Sequence, residues 1–123
     1  MDNSKKKILV VDDDHDIREI ISLILIEEGY LVTGLNNGRS VVKNIHDDRP
    51  DLVLLDVQLG DVDGREVCKE LKGASDTCAI PVMMISANSS WQSLLETDCK
   101  ADDFLDKPFD IAELVDHVKR YAA

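Results

Sequence analysis

Basic residues are scarce in this chain. Its 14 Lys and Arg face 25 Asp and Glu, a formal net charge of -11 at pH 7. Phosphate contacts need clustered Lys and Arg, so direct nucleic-acid binding is not an expected function. The one basic run, Lys5-Lys6-Lys7, is short enough to be a solvated leader into the first strand. Cysteine is sparse and unclustered. Cys68, Cys78 and Cys99 form no CxxC and no Cys/His ligand group, and their odd number argues against a disulfide framework. Reduced, structural thiols are expected. No apolar run approaches a membrane span, and the polar stretch before Ile8 does not resemble a signal peptide. No linker or low-complexity tract divides the chain. The expectation is therefore a soluble, cytoplasmic protein without membrane contact, one domain over residues 1–123. With 44% hydrophobic residues it can bury roughly two-thirds of the surface of its unfolded form, enough for a core without staples.

What the chain does have is organised around Leu52-Val53-Leu54-Leu55-Asp56-Val57-Gln58-Leu59. Four branched residues in a row, after Pro50 and ahead of a Gly- and Asp-rich stretch, read as a fully buried parallel strand that delivers one carboxylate at its end. A first strand is predicted over residues 6–11, followed by Ile17, Ile20, Ile21 and Ile24 at helical spacing up to Gly29, a glycine suited to a helix end. A weaker strand over 30–35 and a short helix over 40–46 precede the central run. A helix over 61–73, a strand over 79–85 with Ser86 at its end, a helix marked by Trp91, Leu94 and Leu95, a short strand over 102–106 and an amphipathic helix with Ile111, Leu114, Val115 and Val118 follow. Five strand–helix alternations specify a parallel sheet covered on both faces. The predicted fold is α/β, a flavodoxin-like (βα)5 doubly wound five-stranded parallel sheet in the order 2-1-3-4-5, with its topological switch point between strands one and three.

Asp12, Asp13 and Asp56 converge at that switch point, beyond the carboxyl ends of the strands where ligands bind in such sheets. Capping of the following helix or turn is the competing reading for Asp56 alone, and a helix start suits Asp14 and Asp16. It explains Asp12 and Asp13 less well. A cluster of like charges repels itself, and a hard divalent cation relieves it. Mg2+ is favoured, since it takes one or two carboxylates plus water and phosphate oxygens. Lys107, just past the fifth strand, can reach the same crevice, and Ser86 offers a hydroxyl from the fourth. Positive charge and donors around a phosphoryl group are what phosphoryl transfer requires, and a carboxylate such as Asp56 can be its nucleophile.

Five segments carry a family resemblance in order: Val10-Val11-Asp12-Asp13-Asp14, Leu54-Leu55-Asp56-Val57-Gln58-Leu59, Asp63-Gly64, Ile80 to Ala87, and Ala101 to Phe109. Together they resemble the receiver domain of bacterial two-component response regulators, over essentially the whole chain. The resemblance implies that Asp56 accepts a phosphoryl group from a phosphohistidine on a sensor histidine kinase or a histidine phosphotransfer protein. Asp13 and Asp56 would bind Mg2+ directly with the backbone carbonyl of Gln58, Asp12 would act mostly through water, and Ser86 and Lys107 would hold the phosphate. Phe104 matches the aromatic residue that turns inward with the hydroxyl residue, changing the face formed by the fourth helix, fifth strand and last helix for a downstream protein target or onward phosphotransfer. Plain core packing is the alternative for Phe104. Such a protein is not a conventional enzyme, although it assists its own phosphorylation and autodephosphorylation. The Lys107–Pro108 bond is expected to be cis.

The chain departs from the family pattern in three places. Gly60 stands where proline is usual, Lys100 where glycine commonly precedes Ala-Asp-Asp, and Ser86 where threonine is commoner. None removes a chemical group. Two other classes fit worse. A phosphatase of the haloacid dehalogenase type wants a second Asp two residues after the nucleophile, where this chain has Gln58. A flavodoxin-like cofactor binder would place a phosphate in the loop after strand one, where Asp12-Asp13-Asp14 would repel it. Trp91 is read either as a partner anchor or, with Leu94 and Leu95, as core, and His15 and His46 as surface residues.

Overall fold

A computed structural model of the protein describes residues 5–87 and 99–123. The helix predicted around Trp91, Leu94 and Leu95 lies outside the described residues. Those described form β1 (Lys7–Val11), α1 (His15–Glu27), β2 (Leu31–Leu35), α2 (Val41–Asp47), β3 (Leu52–Asp56), α3 (Gly64–Gly73), β4 (Val82–Ser86), β5 (Asp103–Asp106) and α4 (Ile111–Tyr121). All strand pairings are parallel, and the sheet order is β2-β1-β3-β4-β5. This is the flavodoxin-like arrangement that the strand–helix alternation predicts.

Strand side chains alternate between faces, and the core divides accordingly. Leu9 and Val11, Val53 and Leu55, and Val82 and Met84 pack with Val41, Ile45, Val67, Cys68 and Leu71 of α2 and α3. Ile8 and Val10, Leu52 and Leu54, and Met83 and Ile85 pack on the other face with Ile21, Leu25, Leu114 and Val118 of α1 and α4. Every residue of β3 and β4 is buried, because both central strands are covered on both sides. That is why the sequence of β3 is continuously apolar until Asp56.

Helix boundaries follow capping chemistry. The Asp14 carboxylate accepts from the Asp16 and Ile17 amides at 3.0 and 3.2 Å, opening α1 directly after the acidic run. Glu28 closes α1, and Gly29 follows in the left-handed region at φ +98°, where glycine carries no Cβ penalty. Asp110 and Glu113 form a reciprocal capping box at the start of α4. The third helix begins at Gly64 rather than 61, because Asp63 is its cap and accepts from the Arg65 amide at 2.8 Å. β3 ends at Asp56, where the sequence places the carboxylate. After Val57 the chain folds back through a Gln58–Asp63 bridge, and the Gly64 amide donates to the Val57 carbonyl at 2.8 Å.

Candidate functional site

The strand alternation also positions the polar residues. Asp56 falls on the same face of β3 as Leu52 and Leu54, and it ends the strand with its backbone in register with Ile85 of β4. Asp12 continues the alternation of Ile8 and Val10 just past β1, with its amide donating to the Leu35 carbonyl at 3.1 Å. Lys107 follows Leu105 past β5, its amide donating to the Ser86 carbonyl at 2.7 Å. These backbone ties bring three strand ends to one crevice. Asp12 is 1% exposed, Asp56 6% and Ser86 3%, uncommon burial for such polar groups. Asp13 is exposed.

Carboxylate oxygens of Asp12, Asp13 and Asp56 lie within 4.8 Å of one another. The Lys107 Nζ donates to Asp12 Oδ2 at 2.9 Å and lies 3.4 Å from Asp56 Oδ2. The other Asp12 oxygen accepts from the Asp14 amide at 2.9 Å. Both Asp12 oxygens are thus engaged, whereas Asp56 meets the Gln58 amide at a long 3.4 Å. Burial, reinforced by the Asp12 charge and opposed by Lys107, pushes the Asp56 carboxyl up to about 6. For Lys107, burial alone would lower the ammonium's pKa, but the hydrogen bond to Asp12 and the charges of Asp56 and Asp12 outweigh it and the net shift is upward. One ammonium does not neutralise three carboxylates. The all-oxygen donor set, together with that uncompensated charge, fits a hard divalent cation of the Mg2+ type better than any soft metal.

The remaining predicted residues take these places. Ser86 ends β4 and Phe104 lies on β5, with Met84 paired to Phe104 and Ser86 to Asp106. Met84 and Phe104 belong to the α2/α3 face of the core, and Ser86 follows Met84 by one strand repeat. Gln58 is exposed in the loop after Asp56. The Lys107–Pro108 bond is cis. Trp91 lies outside the described residues. His15 and His46 are exposed, with Glu19 at 3.5 Å and Asp76 at 2.9 Å respectively.

Two of the departures take definite conformations. Gly60 adopts φ +83°, which proline cannot, and a Cβ there would lie 3.1 Å from Asp13 Oδ2. Lys100 adopts φ +56°, so the turn into β5 keeps a glycine-like shape without a glycine.

Sequence reasoning missed two supporting residues. Arg18 reaches back from α1, its Nη1 donating to the Asp12 carbonyl at 2.8 Å, with Gly34 leaving room for its side chain. The sequence reading starts the third helix at Asp61, yet its carboxylate accepts from the Gly38 amide at 3.0 and 3.1 Å and the Arg39 amide at 3.2 Å. The only sequence signal for either was a small residue, Gly34 or Gly38, on a neighbouring segment.

Known proteins share this arrangement. The family model described as response regulator receiver domain matches residues 8–119. The chain is 40% identical over 110 residues to Response regulator MprA of Mycolicibacterium vanbaalenii, covering 89% of this chain and 47% of that protein. It is 39% identical over 113 residues to Transcriptional regulatory protein CseB of Streptomyces coelicolor, covering 91% of this chain and 47% of that protein. The chain thus spans about half the length of the curated relatives it matches. Among solved structures, the signal receiver domain of a signal transduction histidine kinase from Syntrophus aciditrophicus superposes with a TM-score of 0.88 at 36% identity, covering 95% of this chain and 89% of that one. With the sheet order, the acidic crevice and the family match in agreement, this chain belongs to the response regulator receiver domains of two-component signal transduction.

Proposed function

We propose that this domain is a phosphoryl-accepting switch in which Asp56 takes a phosphoryl group from the phosphohistidine of a sensor histidine kinase or a histidine phosphotransfer protein. The observation that carries this reading is the buried Asp56 carboxylate set 3.4 Å from the Lys107 ammonium, inside the Asp12–Asp13–Asp56 cluster. An Asp56 oxygen forms the new bond to phosphorus as the phosphorus–nitrogen bond to histidine breaks. The imidazole leaves with the electron pair of that bond.

The residues divide the work. Lys107, now shared between Asp12 and Asp56, would pair with a phosphoryl oxygen, and the Ser86 hydroxyl would donate to another. Asp12 keeps Lys107 and the Asp14 amide in place through its two oxygens. Asp13, Asp56 and the Gln58 backbone carbonyl would hold Mg2+ directly, with Asp12 acting through water. Bound Mg2+ supplies positive charge against the phosphoryl oxygens. Movement of Ser86 toward the phosphate leaves room for Phe104 to turn inward, which alters the β5 and α4 face for a downstream protein target or onward phosphotransfer.

Because Asp56 is itself modified, the domain is not a conventional enzyme; its own groups assist phosphorylation and autodephosphorylation. A protein donor in the cytoplasm suits the surroundings. An apolar hollow of about 460 Å³ bordered by Ile17, Ile20, Ala87, Lys107, Pro108 and Phe109 opens beside the crevice. Ile20, Leu23 and Ile26 leave more apolar surface on α1. Among the described residues, no helix is long and apolar enough to cross a membrane. Incubation with a phosphorylated histidine kinase domain and Mg2+ is expected to move label from kinase to this chain, and chelation of Mg2+ to stop the transfer. Transfer that is unchanged in chelator would overturn the role given to the cation.

A further inference from the structure

The loop from Val57 to Asp63 carries the residues that follow Asp56, and it has a glycine at its middle. Gly60 adopts φ +83°, and glycine holds a backbone less firmly than any other residue. The same glycine lies against the Asp13 carboxylate, so a shift of the loop changes the surroundings of one wall of the acidic cluster. The loop is anchored on its β3 side by the Gln58–Asp63 bridge and the Gly64–Val57 hydrogen bond. On the far side Leu59 and Val62 pack toward Gly38, and Asp61 supplies a polar hold. Both Asp61 oxygens accept from the Gly38 amide, at 3.0 and 3.1 Å, and Oδ2 also accepts from the Arg39 amide at 3.2 Å. Gly38 is itself a close-approach glycine: Val62 occupies the space that a Cβ there would need, and Leu59 would lie 3.0 Å from it. The β2–α2 connection and the loop after Asp56 are therefore fitted face to face, with the Asp61 carboxylate as their polar clasp.

We propose that Asp61 is a positioning residue for the divalent-cation site: by fastening the loop over residues 57–63 to the Gly38–Arg39 backbone, it fixes the Gln58 carbonyl and the Gly60 backbone relative to Asp13 and Asp56. It touches neither the cation nor the phosphoryl group. The inference rests on the proposed function, since it concerns the cation site that reading requires. It goes beyond that reading in giving an exposed carboxylate outside the acidic cluster control over cation affinity. Backbone amides as partners explain why an acid suits the position, because a carboxylate accepts two such bonds more strongly than a neutral group does.

The test is calorimetric titration of Mg2+ into the unphosphorylated wild-type, Asp61→Ala and Thr77→Val proteins, with amide hydrogen exchange of the metal-free forms. Thr77 is buried and donates to the Leu71 carbonyl at 2.7 Å, away from this loop, so Thr77→Val controls for a general loss of stability. Loss of a group that supports a metal ligand typically weakens binding 10–100-fold. Asp61 acts one step further out, and Asp61→Ala is expected to bind Mg2+ about three- to tenfold more weakly. Its Gly38 and Arg39 amides should exchange faster, while Thr77→Val keeps the wild-type affinity. Equal Mg2+ affinity in wild-type and Asp61→Ala proteins, or an equal loss in Thr77→Val, would overturn the inference while leaving the proposed function standing. A wild-type protein that binds no Mg2+ would instead overturn the reading beneath it.

Discussion

Asp56 is buried beside another carboxylate, and the metal-free protein should be less stable for it. The carboxyl moves from 3.8 in its ordinary environment to about 6 in the fold. The folded state thus binds this proton more tightly than the unfolded chain, and stability is greatest below the unfolded value. It falls as pH rises through the interval between 3.8 and about 6, and the loss is complete above it. At pH 7.5 the displacement corresponds to about 3 kcal/mol, already net of the attraction from Lys107. Asp56→Asn removes the ionisation while keeping the size, so in chelator at pH 7.5 the variant should be more stable than wild type by up to about 3 kcal/mol. By the same linkage, the advantage should shrink to about half near pH 5 and to well under about 1 kcal/mol near pH 4. Urea unfolding of both proteins across that range measures it, since contributions from groups elsewhere cancel in the difference. Saturating Mg2+ should narrow the gap by stabilising the wild type selectively. An Asn variant less stable than wild type at pH 7.5, or an advantage independent of pH, would refute the electrostatic account of the crevice.

Other perturbations test the frame around the site. Lys100 sits at φ +56°, and a non-glycine residue there is strained by roughly 1–2 kcal/mol; Lys100→Gly should raise the urea midpoint, offset in part by the entropy of the added glycine in the unfolded chain. Gly64 has the Asp56 carbonyl where a Cβ would stand. Gly64→Ala must displace backbone at the phosphoacceptor, so a loss of about 1–3 kcal/mol is expected, together with weaker Mg2+ binding by calorimetry. Asp110→Ala breaks the capping box of α4 and should cost about 1 kcal/mol in urea unfolding without changing Mg2+ affinity.

Much of the frame was legible from sequence because it is written in local patterns. The apolar run through Leu55 has the character of a strand covered on both faces, and both faces of β3 are covered. Asp14 beside Ile17 announces a helix start, and the cap is there. In the flavodoxin-like order the ends of β1 and β3 are neighbours and that of β5 lies on the same edge of the parallel sheet, so Asp12, Asp56 and Lys107 could be grouped from the sequence. What escaped depends on contacts between segments with no shared periodicity. Asp61 and Gly38 are 23 positions apart and meet loop to loop, and the Asp61-Val62-Asp63 stretch offers two equally plausible caps. Only the fold-back after Val57 selects Asp63. Lys100 holds the left-handed turn at the place where the family pattern has glycine, although lysine itself carries no preference for that region.

The proposed switch depends on phosphorylation of Asp56. The most direct measurement is the intact mass of the protein after incubation with acetyl phosphate and Mg2+, alongside Asp56→Asn. The wild type should gain one phosphoryl group that hydroxylamine removes, as an acyl phosphate requires, and the Asn variant should gain none. Equal modification of the Asn variant, or a phosphoryl group that resists hydroxylamine, would contradict it.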